Sequence, residues 1–337
     1  MKKISVAVST ILILAAFLSC SRQDDSVYKK SMPLMDTIVS ITVVADSKEI
    51  AEKAMAEAFG KIDRFGNRVN FYSEKSELSE INRNAGIRRT TVSPETLDVI
   101  EKAVHASEKS RGAFDPTIGP IVKLWNFADK KMPSDKEIKH ALPLVNYRDI
   151  IVDTNASTVL LRKEGMMLDL GGIAKGYAAD MAVDTLLKEG IRSGLVSVAG
   201  DIRTFGLKPD SKPWTIGIKN PRQTGTKDEI IAKARLTDTA ISTSGDYERY
   251  FISDGKRYHH LLDPKTGFPA GTCRSVSIVS DKAADTDAFS TAVFVLGPDR
   301  GMKLATDLGM EALIIDINGN MHSTDGLKEK LSFEKGP

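Results

Sequence analysis

The segment 281–297, DKAADTDAFSTAVFVLG, reads as an apolar helix whose head carries two hard-oxygen side chains, Asp287 and Thr291, one turn apart. Positions i and i+4 share a helix face. The first turn adds unpaired N–H groups and the positive end of the helix dipole. A carboxylate and a hydroxyl placed there can hold a small oxygen-seeking cation that keeps several waters, beside a phosphate. Capping is the plainer reading of the same residues, because Asp285 and Asp287 are favoured N-terminal residues. The segment alone leaves both readings open.

The pattern around it predicts a mixed α/β or α+β body rather than a regular βαβ series. Thr37–Val44 is β-branched and partly alternating, a strand. Ser47–Val69 follows as a helix, with Ile50, Ala54, Ala58 and Ile62 at helical spacing behind a serine cap. Ser93-Pro94 opens a second helix to about Ser110, and Ser134–Leu142 a short third. Short strands are expected at 149–153, 158–162, 166–170, 194–198, 214–219, 230–236, 275–279 and 313–317. Helices are expected at 174–188, stopped by Gly190, at 288–296 and at 299–308.

The N-terminus is a basic Met1-Lys2-Lys3 followed by an apolar run from Ile11 to Leu18 and then Ser19-Cys20. This is a secretory signal over 1–19, too short to span a bilayer comfortably. Ser19-Cys20 resembles a bacterial lipobox. A lipidated Cys20 would carry acyl chains worth roughly 0.8 kcal/mol per buried methylene, enough to anchor the chain. The polar residues from Ser21 to Lys30 then read as a tether, with the folded domain over 32–330. Ordinary secretion with cleavage nearby is the plainer alternative. Cys273 is the one other cysteine, so the fold relies on its core rather than on disulfides. A net charge of +2, from 47 basic and 45 acidic residues, argues against a nucleic-acid partner.

Four further segments carry candidate chemistry. Leu168–Tyr177, LDLGGIAKGY, runs from a strand through paired glycines into a helix, with Lys175 in the first turn where a phosphate would explain it. It matches neither a Walker loop nor a dinucleotide fingerprint, and a tight turn with a solvated lysine remains an equal reading. Gly112–Pro120, GAFDPTIGP, is a rigid turn in which Asp115 can cap the helix after it. Ala240–Tyr247 is rich in hydroxyls, suited to phosphate contacts or to turn formation. Tyr258–Gly267, YHHLLDPKTG, holds two adjacent histidines that point to opposite strand faces, so at most one is catalytic. Their spacing does not suggest zinc.

Eight segments in order, MDT (35–37), SELSEIN (76–82), AFDPTIGP, LDLGGIAKGYAAD, VSVAGDI (196–202), ISTSGDYERYF, YHHLLDPKTGFP and DTDAFSTAVFVLG, resemble the ApbE-like FAD:protein FMN transferases across roughly residues 32–325. The resemblance implies one large ApbE-like, T-fold-like domain with mixed sheets flanked by helices. It implies magnesium-dependent transfer of FMN from FAD to a threonine or serine hydroxyl of a target protein, through a phosphoester bond, with release of AMP. Asp287 and Thr291 fall where the family holds magnesium, with a backbone carbonyl at Gly172. Met35, Tyr72, Ala113, Phe114, Asp115, Asp169, Lys175 and Leu261 fall where it contacts FAD.

Chemically, Tyr72 and Phe114 can stack on flat rings, and Lys175 can neutralise the pyrophosphate. His260, with an ordinary near-neutral pKa, would be the general base, and Asp287 would support catalysis through the metal. Asp285 is left as the helix cap, and Asp287→Ala is expected to abolish transfer with the fold near intact. The expected acceptor is a membrane redox subunit of the sodium-pumping NADH:quinone oxidoreductase or Rnf type, with the chain lipid-anchored on the periplasmic side of the bacterial inner membrane. An FAD pyrophosphatase giving FMN and AMP, or a non-catalytic tethered FAD binder, would use the same residues.

Overall fold

The structure is a computed structural model that describes residues 26–222 and 229–333. The expected signal segment and Cys20 lie outside the described residues.

The chain opens with a hairpin, β1 (Ser26–Leu34) and β2 (Thr37–Ala45), closed by Met35 and Asp36 at φ 52° and 56°. Two consecutive left-handed residues are the mark of a tight turn whose twist matches its strands. Residues 26–31, expected to belong to the tether, are thus part of the fold. Their polar composition belongs to an edge strand whose side chains are mostly in solvent. α1 (Lys48–Val69) starts where the Ser47 hydroxyl accepts the Ile50 N–H, and it buries Ala51, Met55, Phe59, Ile62 and Phe65 along one stripe. α2 (Glu77–Arg83), β3 (Thr90–Thr91) and α3 (Pro94–Ser110) follow. α4 (Gly119–Val122) and α5 (Asp135–Ala141) come next, the latter closed by a Ser134–Glu137 capping box.

β4 (Ile150–Asp153) and β5 (Thr158–Leu161) pair with β3 in a small sheet. Residues 166–170, expected as a strand, form only an isolated bridge from Met167 to Ile118. α6 (Ala174–Lys188), β6 (Ser193–Val198), β7 (Asp201–Phe205), β8 (Trp214–Lys219), β9 (Ile230–Leu236) and β10 (Ala240–Gly245) come next. They are followed by the hairpin β11 (Tyr250–Ser253) and β12 (Lys256–His259), then β13 (Cys273–Ser280). α7 (Ala283–Asp307) is two helices joined at Gly297, φ 80°, before Pro298, which matches the expected break. Its first half begins five residues earlier than the expected start at 288. β14 (Glu311–Asp316), β15 (Met321–Ser323), α8 (Asp325–Lys330) and β16 (Leu331–Phe333) close the described chain.

The main sheet runs β1-β2-β6-β7-β10-β13-β14-β15, and every ladder in it is antiparallel. That places the chain on the α+β side of the expected class. One sheet face, with Val39, Ile41, Val196, Val276 and Ile314, packs on α1, α3, α6 and α7 in the principal core. The other face, through Ile241, Val279 and Leu313, packs on the three-stranded β16-β9-β8 sheet and α8. A satellite core gathers Trp125, Ile121, Ile138, Phe251 and Leu262. Phe114 and Leu261 belong to the principal core, whereas Ile121 and Leu262 belong to the satellite. The loop after α3 and the loop after β12 therefore both cross the seam between the two cores.

Candidate active site

Two helices that cross without intervening side chains organise the site. A Cβ on Gly176 would lie 2.0 Å from the Ala283 carbonyl oxygen and 2.8 Å from the Asp287 Cβ, so only glycine admits this approach of α6 and α7. Neither helix is capped by its own N-cap side chain. Each is capped by the other: Asp287 Oδ2 accepts the Gly176 N–H at 3.0 Å, and Asp180 on α6 accepts the Ala283 and Ala284 N–H groups at 3.0 and 2.9 Å. Asp285, expected as the cap, lies in the first turn of α7, and Asp180 takes that role from outside. Asp287 correspondingly sits in the second turn, so the cation reading no longer draws on the N-terminal N–H groups of its own helix.

Lys175 reaches Asp201 Oδ2 at 2.7 Å and both Asp287 oxygens at 3.3 Å. Asp201 enters from the start of β7, just after the tight turn at Ala199 and Gly200. Burial, then the neighbouring Asp201, push the Asp287 carboxyl above the ordinary range against the pull of Lys175 and the Gly176 N–H. The Lys175 pKa is raised as well: burial opposes its charge, but Asp201 and Asp287 together hold the ammonium form. Without a ligand, its charge is shared with the carboxylates of Asp201 and Asp287.

Thr291 faces the glycine turn: a Cβ on Gly172 would lie 3.6 Å from Thr291 Oγ1 and 3.1 Å from the Phe114 ring. Gly172 and Thr291 are thus neighbours, and Asp287 stands four residues before Thr291 on α7. Behind Thr291 runs a line of hydroxyls, with Ser244 Oγ 3.3 Å from Thr291 Oγ1 and 2.9 Å from Ser290 Oγ, which donates to the Asp287 carbonyl at 2.9 Å. Ser242 pairs with Thr286 in the same way at 2.8 Å. The hydroxyls of 242–244 are therefore turned onto α7 and β13 rather than left open for a phosphate.

Asp169 accepts the Gly171 N–H at 2.8 Å, its only hydrogen-bond donor among the described residues. Burial pushes its pKa up, with Gly171, Arg249 and Lys175 opposing. Asp115 is more committed: Oδ1 accepts from the Thr117 N–H and hydroxyl at 2.9 and 2.6 Å, and Oδ2 from the Tyr147 N–H at 3.0 Å. It holds the turn that buries Ala113 and Phe114. Phe114, 5 % exposed, backs the glycine turn, whereas Tyr72 is 73 % exposed, so of the two predicted stacking rings Tyr72 is the one with a face open to solvent. Met35 packs against Gly66 of α1, near the end of the helix from which Tyr72 follows.

The two histidines part as their alternation predicts. His259 is buried, with Nε2 2.8 Å from the Ala270 carbonyl and Nδ1 accepting the Leu261 N–H at 3.3 Å, a structural role. Leu261, also buried, returns its carbonyl to the Ala270 N–H at 3.0 Å. His260 Nδ1 lies 3.3 Å from the Arg249 carbonyl, which can only accept, so Nδ1 carries the hydrogen and Nε2 keeps its lone pair. Its ring is densely surrounded yet still touches solvent. Burial and the Arg249 charge push its pKa down to about 3, not the near-neutral value expected from sequence. Asp180, Asp201, Ser244 and Ser290 are absent from the sequence-derived site, although the quoted motifs contain all four.

The ApbE family model matches residues 35–314. The FAD:protein FMN transferase of Treponema pallidum (strain Nichols) is 34% identical over 95% of this chain and 93% of its own length. The crystal structure of the ApbE protein from Thermotoga maritima superposes with a TM-score of 0.84 at 36% identity, covering 90% of this chain and 99% of that one. The flavin transferase ApbE from Vibrio cholerae gives 0.81 at 28% identity, covering 91% and 99%. The chain belongs to the ApbE family.

Proposed function

We propose that this chain is an FAD:protein FMN transferase that moves FMN from FAD onto a threonine or serine hydroxyl of a target protein, forming a phosphoester and releasing AMP. The observation that carries this reading is the convergence of Asp287, Thr291 and the Cβ-free Gly172 turn beside Lys175, in a chain aligned almost end to end with proteins of that name.

The donor set fits a magnesium ion. The described residues hold no cluster of three or more acidic, histidine or cysteine side chains suited to a metal. One carboxylate, one hydroxyl and a carbonyl at Gly172 instead offer a few hard oxygens and leave places for water and phosphate, as magnesium prefers. Asp287, Thr291 and Gly172 would hold it, and bound there it supplies neutralisation of the pyrophosphate charge.

The chain's own residues do the rest by positioning. Gly171 and Gly172 let the pyrophosphate approach the backbone. Tyr72 offers a ring face for a flat substrate ring, and the uncommitted Asp169 oxygen accepts from a substrate donor. The acceptor oxygen forms a bond to the FMN phosphorus as the bond to the AMP oxygen breaks, and the hydroxyl proton passes to His260 Nε2. The negative substrate raises the basicity of His260 from its low value in the free chain. We further propose that Cys20 is lipidated and anchors the body on the periplasmic side of the inner membrane. β1 begins six positions after Cys20, which limits that leash to about 20 Å, so a membrane redox subunit is the acceptor within reach.

The test is mass spectrometry of a candidate acceptor after incubation with this protein, FAD and magnesium. An FMN adduct on threonine or serine is expected, and it disappears in Asp287→Asn. AMP release without any adduct would replace transfer by FAD hydrolysis.

A further inference from the structure

Protons can be counted along the hydroxyl line behind Thr291, and the count leaves one arrangement. The Asp287 carbonyl oxygen can only accept, so Ser290 points its single hydroxyl hydrogen at it, across 2.9 Å. Ser290 then has only lone pairs for Ser244, 2.9 Å away, and Ser244 must donate to it. Ser244, its hydrogen used, has only lone pairs for Thr291 at 3.3 Å, so Thr291 donates backwards. The line runs Thr291 to Ser244 to Ser290 to the Asp287 carbonyl, every hydroxyl hydrogen being used within it. Ser290 and Ser244 are 1 % and 9 % exposed, so little water competes for these bonds. Thr291 Oγ1 also neighbours Gly172, whose Cβ, if present, would sit 3.6 Å away.

We infer that Ser244 is a positioning residue that fixes the Thr291 hydroxyl as a pure acceptor toward the site, able to face a cation and unable to donate a hydrogen bond to a phosphate oxygen. A hydroxyl ligand needs its hydrogen held elsewhere, as metal-bound side chains are oriented by the partners behind them. The inference rests on the cation reading given above, and it adds that the polarity of Thr291 is set by β10 before any ligand arrives.

The test uses Mn2+ as the probe, titrated into the full chain without FAD, with free Mn2+ counted by electron paramagnetic resonance. Wild type is expected to bind one Mn2+ that Asp287→Asn loses. Ser244→Ala is expected to raise the Kd at least about tenfold, and Ser290→Ala to raise it less, because Ser244 can then turn. In a Thr291→Val background Ser244→Ala adds nothing further, the non-additivity of a residue that acts through another. An unchanged Kd in both serine variants, whatever happens to their melting temperatures, overturns the inference and leaves the cation reading standing. No Asp287-dependent binding by wild type removes the cation reading and this inference together.

Discussion

Replacing Gly176 by alanine sets two effects of opposite sign against each other. Alanine in a helix gains roughly 1 kcal/mol over glycine through backbone entropy, so an uncrowded Gly176→Ala would stabilise the chain. Here the new Cβ would meet the Ala283 carbonyl oxygen at 2.0 Å, its carbon at 2.5 Å and the Asp287 Cβ at 2.8 Å. Two of these three are backbone atoms and cannot swing aside, so α6 and α7 must separate by about 1 Å. Overpacking of this kind costs about 1–3 kcal/mol, and separation also stretches the 2.9–3.0 Å caps that Asp180 and Asp287 exchange, each worth about 1 kcal/mol. The costs outweigh the propensity gain, leaving a net loss of about 2 kcal/mol, a fall in Tm of about 3 °C at this chain length. Gly271→Ala, where a Cβ meets nothing within 4 Å and φ is not left-handed, is the control and stays within about 0.5 kcal/mol. The assay is thermal and urea unfolding of the three proteins. A Gly176→Ala variant as stable as wild type would refute the direct crossing of the helices, and with it the reason Asp287 stands where it does.

Asp287→Asn and Asp287→Ala should separate chemistry from architecture. Both lose Mn2+ binding, but asparagine keeps an acceptor for the Gly176 N–H, so urea unfolding is expected to find the alanine variant about 1 kcal/mol less stable; equal stabilities would deny the cap. In acid, the unfolded chain takes up a proton at the His260 imidazole near pH 6.5 that the folded chain refuses until about pH 3. Stability is thus full above pH 6.5 and falls as pH drops toward 3. Between pH 7.5 and 5 wild type should lose up to ~2 kcal/mol more than His260→Gln, less to the extent that solvent screens the partly exposed ring. Identical pH slopes in urea unfolding would show that His260 has an ordinary pKa.

What the sequence shows of this site is what local chemistry encodes. Ser47, Ser93 and Ser134 announce their helices because a hydroxyl and the N–H it caps are only a few residues apart. His259 and His260 separate by alternation alone, and Gly297-Pro298 breaks α7 where backbone rules demand. β1 escapes notice because an edge strand with Lys29, Lys30 and Pro33 has the composition of a linker. The true start of α7 is hidden because its cap, Asp180, lies 103 positions away. Asp201 and Ser244 are illegible for the same reason: their partners lie 26 and 47 positions away and meet them only after α6, α7 and β10 have packed. The low pKa of His260 comes from crowding and from Arg249, neither of which is visible in YHHLLDP.

The exchanged caps have a consequence for how such a chain can change over generations. Because the carboxylate that we propose faces a cation also caps the start of α6, position 287 would answer to two selective pressures that do not relax together. A descendant released from flavin chemistry would still be under pressure to keep an oxygen there, as asparagine, serine or threonine, while Thr291 drifted freely. Loss of activity in this lineage should therefore leave a polar relic at 287 and none at 291, a pattern readable from sequences alone.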